Sequence, residues 1–220
     1  MTKRFGFTLA EVLITLAIIG VVAAMTMPTL INSTSATQFK TAFKKGLSVL
    51  SQAVVMNIAL DDYDLSGTYE HEDDDTLSVY NIISNRTNAT DITEDSVLDN
   101  YTVYINEDDP DETTSDDEIN YDSNYIFRFN DGIIFSFPQD TDSCTEEDPC
   151  YGWIDANGIK GPNKAATCTT SGGDDELAYC TSKVTVNDIF PVKFYDQTFA
   201  PASASARAVM YGTESRTISE

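Results

Sequence analysis

From Phe7 to Ile31 the chain is apolar apart from one charged side chain, Glu11. About 25 residues is longer than the roughly 20 that a helix needs to cross a bilayer's hydrocarbon core. In lipid every backbone polar group must find its partner inside the segment, so a single apolar span has to be a helix. Glu11 is the anomaly within it. Carrying a carboxylate toward the bilayer centre costs on the order of 3 kcal/mol, and such residues usually have a specific partner. The expected partner is a cation brought by another chain. Lys3 and Arg4 precede the span and an acidic region succeeds it, so the positive-inside rule leaves the N-terminus in the cytoplasm and exports the chain beyond Ile31.

The residues Gly6-Phe7-Thr8-Leu9-Ala10-Glu11 ahead of an apolar helix resemble the N-terminal cleavage and methylation motif of type IV pilins and type II secretion pseudopilins. The resemblance implies that residues 1–6 are a leader, cut after Gly6 by a prepilin peptidase that then methylates the amine of Phe7. It implies that Glu11, the fifth residue after the cut, pairs with the N-terminal amine of a neighbouring subunit. Two charges that are each costly in lipid then offset one another. Pro28 is similar to a helix-interrupting proline of these proteins; proline lacks a backbone donor and kinks a helix. The implied partners are the peptidase, an inner-membrane assembly platform, and copies of this chain or related pilins. Two other readings compete. Val22-Ala23-Ala24 offers a secretory cleavage site, although the apolar run continues past it and Glu11 is foreign to such signals. An uncut signal anchor would leave Gly6 and Glu11 without a purpose.

The formal net charge is −23. Between Asp61 and Asp155 the only Lys or Arg residues are Arg86 and Arg128, a strong block asymmetry. Nucleic-acid affinity rests on cations that neutralise phosphates, so no direct nucleic-acid binding is expected. The four cysteines, Cys144, Cys150, Cys168 and Cys180, lie in the exported part. An even count outside the cytoplasm points to disulfides. Three connectivities are possible, and the favoured one joins nearest neighbours, Cys144 with Cys150 and Cys168 with Cys180. None of these spacings is the tight pair typical of zinc, and the single histidine, His71, is far away.

Beyond the Ser/Thr/Asn-rich stretch 29–36, Phe39, Phe43, Leu47, Leu50, Val54 and Ile58 recur at spacings of three and four, one apolar helical face. Residues 32–60 therefore continue the helix as an amphipathic half, and a helix from 7 to 60 would be about 80 Å long. Lys40, Lys44 and Lys45 fall off the apolar face; they form a solvated face or meet acidic heads of adjacent subunits. Residues 61–220 form one modest acidic head. The fold class is α+β: a long N-terminal α-helix, membrane-spanning then amphipathic, packed on a small antiparallel β-sheet head. The resemblance implies the same pilin-like layout.

Within the head, Asp61 to Thr76 reads as an acidic solvated loop, and no motif identifies His71 there as a catalytic base. Leu77–Ile83 reads as strand or short helix, and Tyr101–Ile105 as strand. Residues 106–124 form an acidic insert too polar to pack. Tyr125–Phe129 and Ile133–Phe137 alternate around Asn130-Asp131-Gly132, a β-hairpin whose aromatic face is expected on the helix near Phe43 and Leu50. Asp155-x-Asn157-Gly158 places oxygen ligands at alternate positions before a glycine, an echo of calcium loops. The candidate calcium set is Asp155, Asn157 and Asn163, against the simpler reading of an Asn-Gly turn. Gly161-Pro162-Asn163 followed by Asp188-Ile189-Phe190 is similar to a loop of pseudopilin-like heads. The stretch between, with Cys168, Gly172-Gly173 and Cys180, reads as a disulfide-closed surface loop. Residues 190–195 supply a last strand, and from Pro201 onward a fraying tail is expected.

The functional expectation is a non-enzymatic structural subunit of a type IV pilus-like or type II pseudopilus filament. The alternative is a signal-anchored outer domain that binds calcium or another ligand through acidic loops.

Overall fold

A computed structural model describes residues 8–71, 77–94, 98, 101, 103, 123–171 and 179–212, with only the backbone of 28, 29 and 31–33. Residues 1–7, the acidic run 72–75 and nearly all of the acidic insert thus lie outside the described residues. The chain forms two compact units, Met1–Gln38 and Phe39–Glu220.

The first unit is helical. Helix α1 is assigned over Leu9–Asp61, and its stretch Leu9–Met27 is long and apolar enough to cross a membrane, with none of it buried. Leu13, Ile14, Ile18 and Ile19 all stand exposed. Helical backbone continues through position 28 and through 29–36. A helical assignment through Pro28 is compatible with the kink expected there, since a proline can remove a hydrogen bond without ending a helix, and the Ser/Thr/Asn-rich stretch is helical too.

In the second unit α1 turns its apolar stripe inward. Phe43, Leu47, Leu50, Ala53 and Val54 are buried in one cluster with Phe127, Ile133, Phe135, Phe137, Ile154 and Phe190. Phe43 stacks on Phe190 with ring centroids 4.3 Å apart. Gly46 allows the close approach, since a Cβ there would meet two Ile154 methyl carbons at 3.3 Å. The helix stops where Asp62 takes φ 61° and its N–H closes on the Ile58 carbonyl at 3.1 Å, a left-handed C-terminal cap. Buried Asn57 fixes the turn from within: its Nδ2 donates to the Tyr63 carbonyl and its Oδ1 accepts from Arg86 Nε. Arg86 also pairs with Asp61. The acidic segment after the helix is only partly solvated, because Leu65 and Thr68 are buried.

The expected sheet is present and larger than a hairpin. Its strands are β1 (Ala89–Asp91), β2 (Asn124–Phe129), β3 (Ile134–Pro138), β4 (Cys150–Asp155), β7 (Ile189–Tyr195) and β8 (Thr198–Pro201). They run in the order β1-β2-β3-β4-β7-β8, every neighbour antiparallel. A separate two-stranded ribbon, β5 (Thr170–Ser171) with β6 (Tyr179–Cys180), is inserted between β4 and β7. The aromatic hairpin pairs Phe127 with Phe135 and Tyr125 with Phe137, as the alternation requires, with Gly132 at φ 92° in the turn.

One segment is decided between its two expected forms, and two others differ from expectation where they are described. Leu77–Ile83 resolves as helix α2 (Val79–Arg86), whose Ser78 side chain caps the Asn81 N–H at 3.2 Å. The two described residues of 101–105, Tyr101 and Val103, are not in a strand. They belong to a second core on the sheet's other face, with Ile92, Ile126, Ile134, Trp153, Ala165 and Ile189. The tail expected after Pro201 is helix α3 (Ala204–Tyr211), capped by Ser203 on the Ala206 N–H. Its Ala206 and Val209 join the main core, because small side chains let a short helix lie close to the sheet.

Candidate functional site

Two of the places anticipated from the residues fall on described parts of the chain. The first is the start of α1. Gly6 and Phe7 lie outside the described residues, whereas Thr8 and Glu11 are described in full. Thr8 donates to Glu11 Oε2 from both its backbone N–H and its hydroxyl, each at 2.8 Å. The Glu11 N–H returns to Thr8 Oγ1 at 3.3 Å. This is a reciprocal capping box, in which the Thr8 hydroxyl and the Glu11 carboxylate each satisfy one of the helix's orphan donors. Glu11 therefore has a partner within its own chain. The Thr-x-x-Glu spacing was readable in the sequence, but a charge in an apolar span points first to other chains. Both bonds land on Oε2, and Oε1 accepts none among the described residues. Cleavage after Gly6 would leave the box whole, since its atoms belong to Thr8 and Glu11.

The second place is the loop leaving β4. Asp155 ends the strand with no exposed surface. Its Oδ2 accepts from the Tyr101 hydroxyl at 2.6 Å and its Oδ1 from the Asn157 N–H at 3.0 Å. Burial pushes this carboxyl up to about 7. The hydrogen bonds from Tyr101, Asn157 and Gly158 oppose that rise, and the nearby charge of Asp188 adds to it. Gly158 sits at φ 69° against the Gly132 carbonyl, leaving no room for a side chain.

Asp188, equally buried, braces the far end of the loop. Its two oxygens accept the N–H groups of Asn163 and Lys164, each at 2.9 Å. Asn163 holds φ 51° after the cis Gly161–Pro162 bond. The Gly-Pro-Asn and Asp-x-Phe elements are thus one unit in space, the aspartate capping the turn from 25 residues away. Of the candidate calcium set, Asp155 and Asn163 are buried and Asn157 is half-buried. Asn157 Nδ2 reaches the Gly161 carbonyl at 3.3 Å. The side-chain oxygens Oδ1 of Asn157 and Asn163 are both buried without a hydrogen-bond partner. Among the described residues no group of three or more His, Cys, Asp and Glu side chains gathers as a metal site. Any ion here would therefore rely on amide and backbone oxygens beside two carboxylates.

The cysteines join as nearest neighbours, Cys144 to Cys150 and Cys168 to Cys180. The second bridge closes the β5–β6 ribbon. His71 stacks on Tyr80 at 4.1 Å and meets Ser78 Oγ, the hydroxyl that caps α2, at 3.2 Å. Burial, and then the hydrogen bond to Asp91, push the Tyr80 hydroxyl up to about 12.

Residues 1–27 match the family described as the prokaryotic N-terminal methylation motif, the signature of type IV pilins and pseudopilins. The match covers residues 1–27, which include the apolar start of α1 and none of the second unit. Comparison with curated proteins and with solved structures gave no match. The motif points to a structural protein anchored by its N-terminal helix.

Proposed function

We propose that this chain is a subunit of a type IV pilus-like or type II pseudopilus filament, cut after Gly6, methylated on Phe7 and assembled through α1. The reading rests above all on the methylation motif over residues 1–27. Its setting agrees: the motif heads an exposed apolar helix whose acid, Glu11, keeps one carboxylate oxygen without a bond among the described residues. A neighbour's terminal amine is the complementary group, since an ion pair in lipid offsets two desolvation costs at once. Before assembly the chain spans the inner membrane once, head outward, because Lys3 and Arg4 hold the N-terminus inside. Its partners are the prepilin peptidase, the assembly platform and further pilin copies; catalysis has no part in this role. The mass of the mature N-terminus tests it. Cleavage after Gly6 with one added methyl group is expected; an intact leader, or cleavage after Ala24, would support the signal-anchored alternative or a plain secretory signal.

We further propose that the loop between Asp155 and Asn163, with Asp188, takes a hard divalent cation such as calcium. Buried amide oxygens without partners favour it, and calcium accepts carboxylate, amide and carbonyl oxygens together. Asn157 and Asn163 would supply neutral ligands and Asp155 and Asp188 the charge. Calcium at 100 times its Kd should stabilise the protein by about 2.7 kcal/mol. An unfolding midpoint that does not move between calcium and chelator would remove the site.

A further inference from the structure

We propose that Asn157 is a self-modifying residue: the Gly158 nitrogen attacks its side-chain amide, ammonia leaves, and position 157 gains a carboxylate. Asn157-Gly158 is the chain's only Asn-Gly pair. Glycine leaves the attacking backbone nitrogen unshielded by any side chain. The fold also requires glycine there, since at φ 69° a Cβ would stand 2.4 Å from the Gly132 carbonyl oxygen.

The loop sets the reacting groups side by side. The buried Asp155 carboxylate accepts the N–H of Asn157 at 3.0 Å and that of Gly158 as well. A carboxylate already bonded to the N–H of the attacking nitrogen is placed to take its proton. The Asn157 amide is lightly held: Oδ1 has no hydrogen-bond partner, and Nδ2 reaches the Gly161 carbonyl at 3.3 Å. The Gly158 nitrogen bonds to Asn157 Cγ as its proton passes to Asp155. The Cγ–Nδ2 bond then breaks, and Nδ2 takes that proton and departs as ammonia. Water opens the cyclic imide at either carbonyl, giving aspartate or isoaspartate. One water is consumed for each ammonia released, and nothing is oxidised or reduced.

Asn163 is the comparison built into the same loop. Its Oδ1 is also buried without a partner, and the next N–H, that of Lys164, also meets a buried carboxylate, Asp188, at 2.9 Å. The difference is the lysine side chain beside that nitrogen, which obstructs the attack and leaves Asn163 an amide. The consequence for an ion rests on the calcium reading, whereas the modification itself does not. A further carboxylate beside Asp155 and Asp188 adds the ligand charge that tightens calcium sites, and without an ion it adds repulsion.

The test is mass spectrometry of the full chain in detergent, aged at neutral pH and then digested. The peptide holding Asn157 should gain about 1 Da as an amide becomes an acid, while Asn163 stays unchanged. Asp155→Asn keeps an acceptor oxygen but removes the carboxylate base, and should slow conversion at least about tenfold. Wild-type chain unfolded in guanidinium, where Asp155 no longer holds the Gly158 N–H, needs no variant and should also convert more slowly than the folded chain. No gain at Asn157, an equal gain at Asn163, or a rate unchanged by Asp155→Asn or by unfolding would each overturn the proposal. Unfolding midpoints in calcium and in chelator are compared for fresh and aged protein in parallel, and calcium should raise the midpoint more in the aged protein. An equal rise in both overturns the consequence for the ion. A rise in neither removes the calcium reading and leaves the modification standing, while a rise without any mass gain sinks the modification alone.

Discussion

Asp155 is a carboxyl that the fold buries and then ties with hydrogen bonds from Tyr101 and the backbone. Its pKa of about 7 lies above the value near 3.9 of an unfolded aspartate. The folded protein thus holds a proton that the unfolded chain gives up between about pH 4 and 7. The stability linked to that proton is present below this window and is lost as pH rises through it, on the order of 4 kcal/mol by pH 8. Denaturant midpoints of the full chain in detergent should fall from pH 5 to pH 8, and Asp155→Asn, neutral throughout, should flatten the slope. An identical slope in both proteins would show that Asp155 does not carry it. The Asp-x-Asn-Gly spacing made the turn legible in the sequence. What it could not disclose was burial: Tyr101 and Asp188 reach this loop from distant positions through the second core, and burial gives the carboxylate its character. Glu11 is the converse case. Thr8-x-x-Glu11 is local and was fully legible as a cap, yet the cost of charge in lipid is the stronger signal and points outward.

At the level of elements, strict alternation made the β2–β3 hairpin legible, and spacings of three and four revealed the inward face of α1. The second core was half-written: Ile133-Ile134-Phe135 and Tyr125-Ile126-Phe127 are apolar at consecutive positions, the pattern of strands covered on both faces. Alternation marks one covered face of such strands, and contiguity marks the second. Helix α3 escaped because Ala204-Ser205-Ala206 has almost no hydrophobic contrast, although Ser203 is a proper N-cap. The difference is measurable. Ending the chain after Ala202 uncovers the core beneath Ala206 and Val209 and should cost about 3 kcal/mol. A frayed tail would cost under about 0.5 kcal/mol, so an unchanged midpoint would mean that α3 does not pack.

The whole molecule is organised by segregation: an apolar span, a lysine-bearing helix without acids, and a head that holds nearly all the negative charge. Composition alone made this visible, and the function read from it depends on contacts that one chain cannot complete. The central claim is that the charge of Glu11 serves assembly, in addition to its capping bond with Thr8. Glu11→Gln separates the two roles, because glutamine at this position also closes a capping box but offers a neighbour's amine no charge. The decisive measurement is the amount of this variant in sheared filaments, at wild-type levels of membrane insertion and leader cleavage. A loss of at least about tenfold, the equivalent of 1.4 kcal/mol, is predicted; wild-type incorporation would contradict the account and leave Glu11 as a helix cap alone.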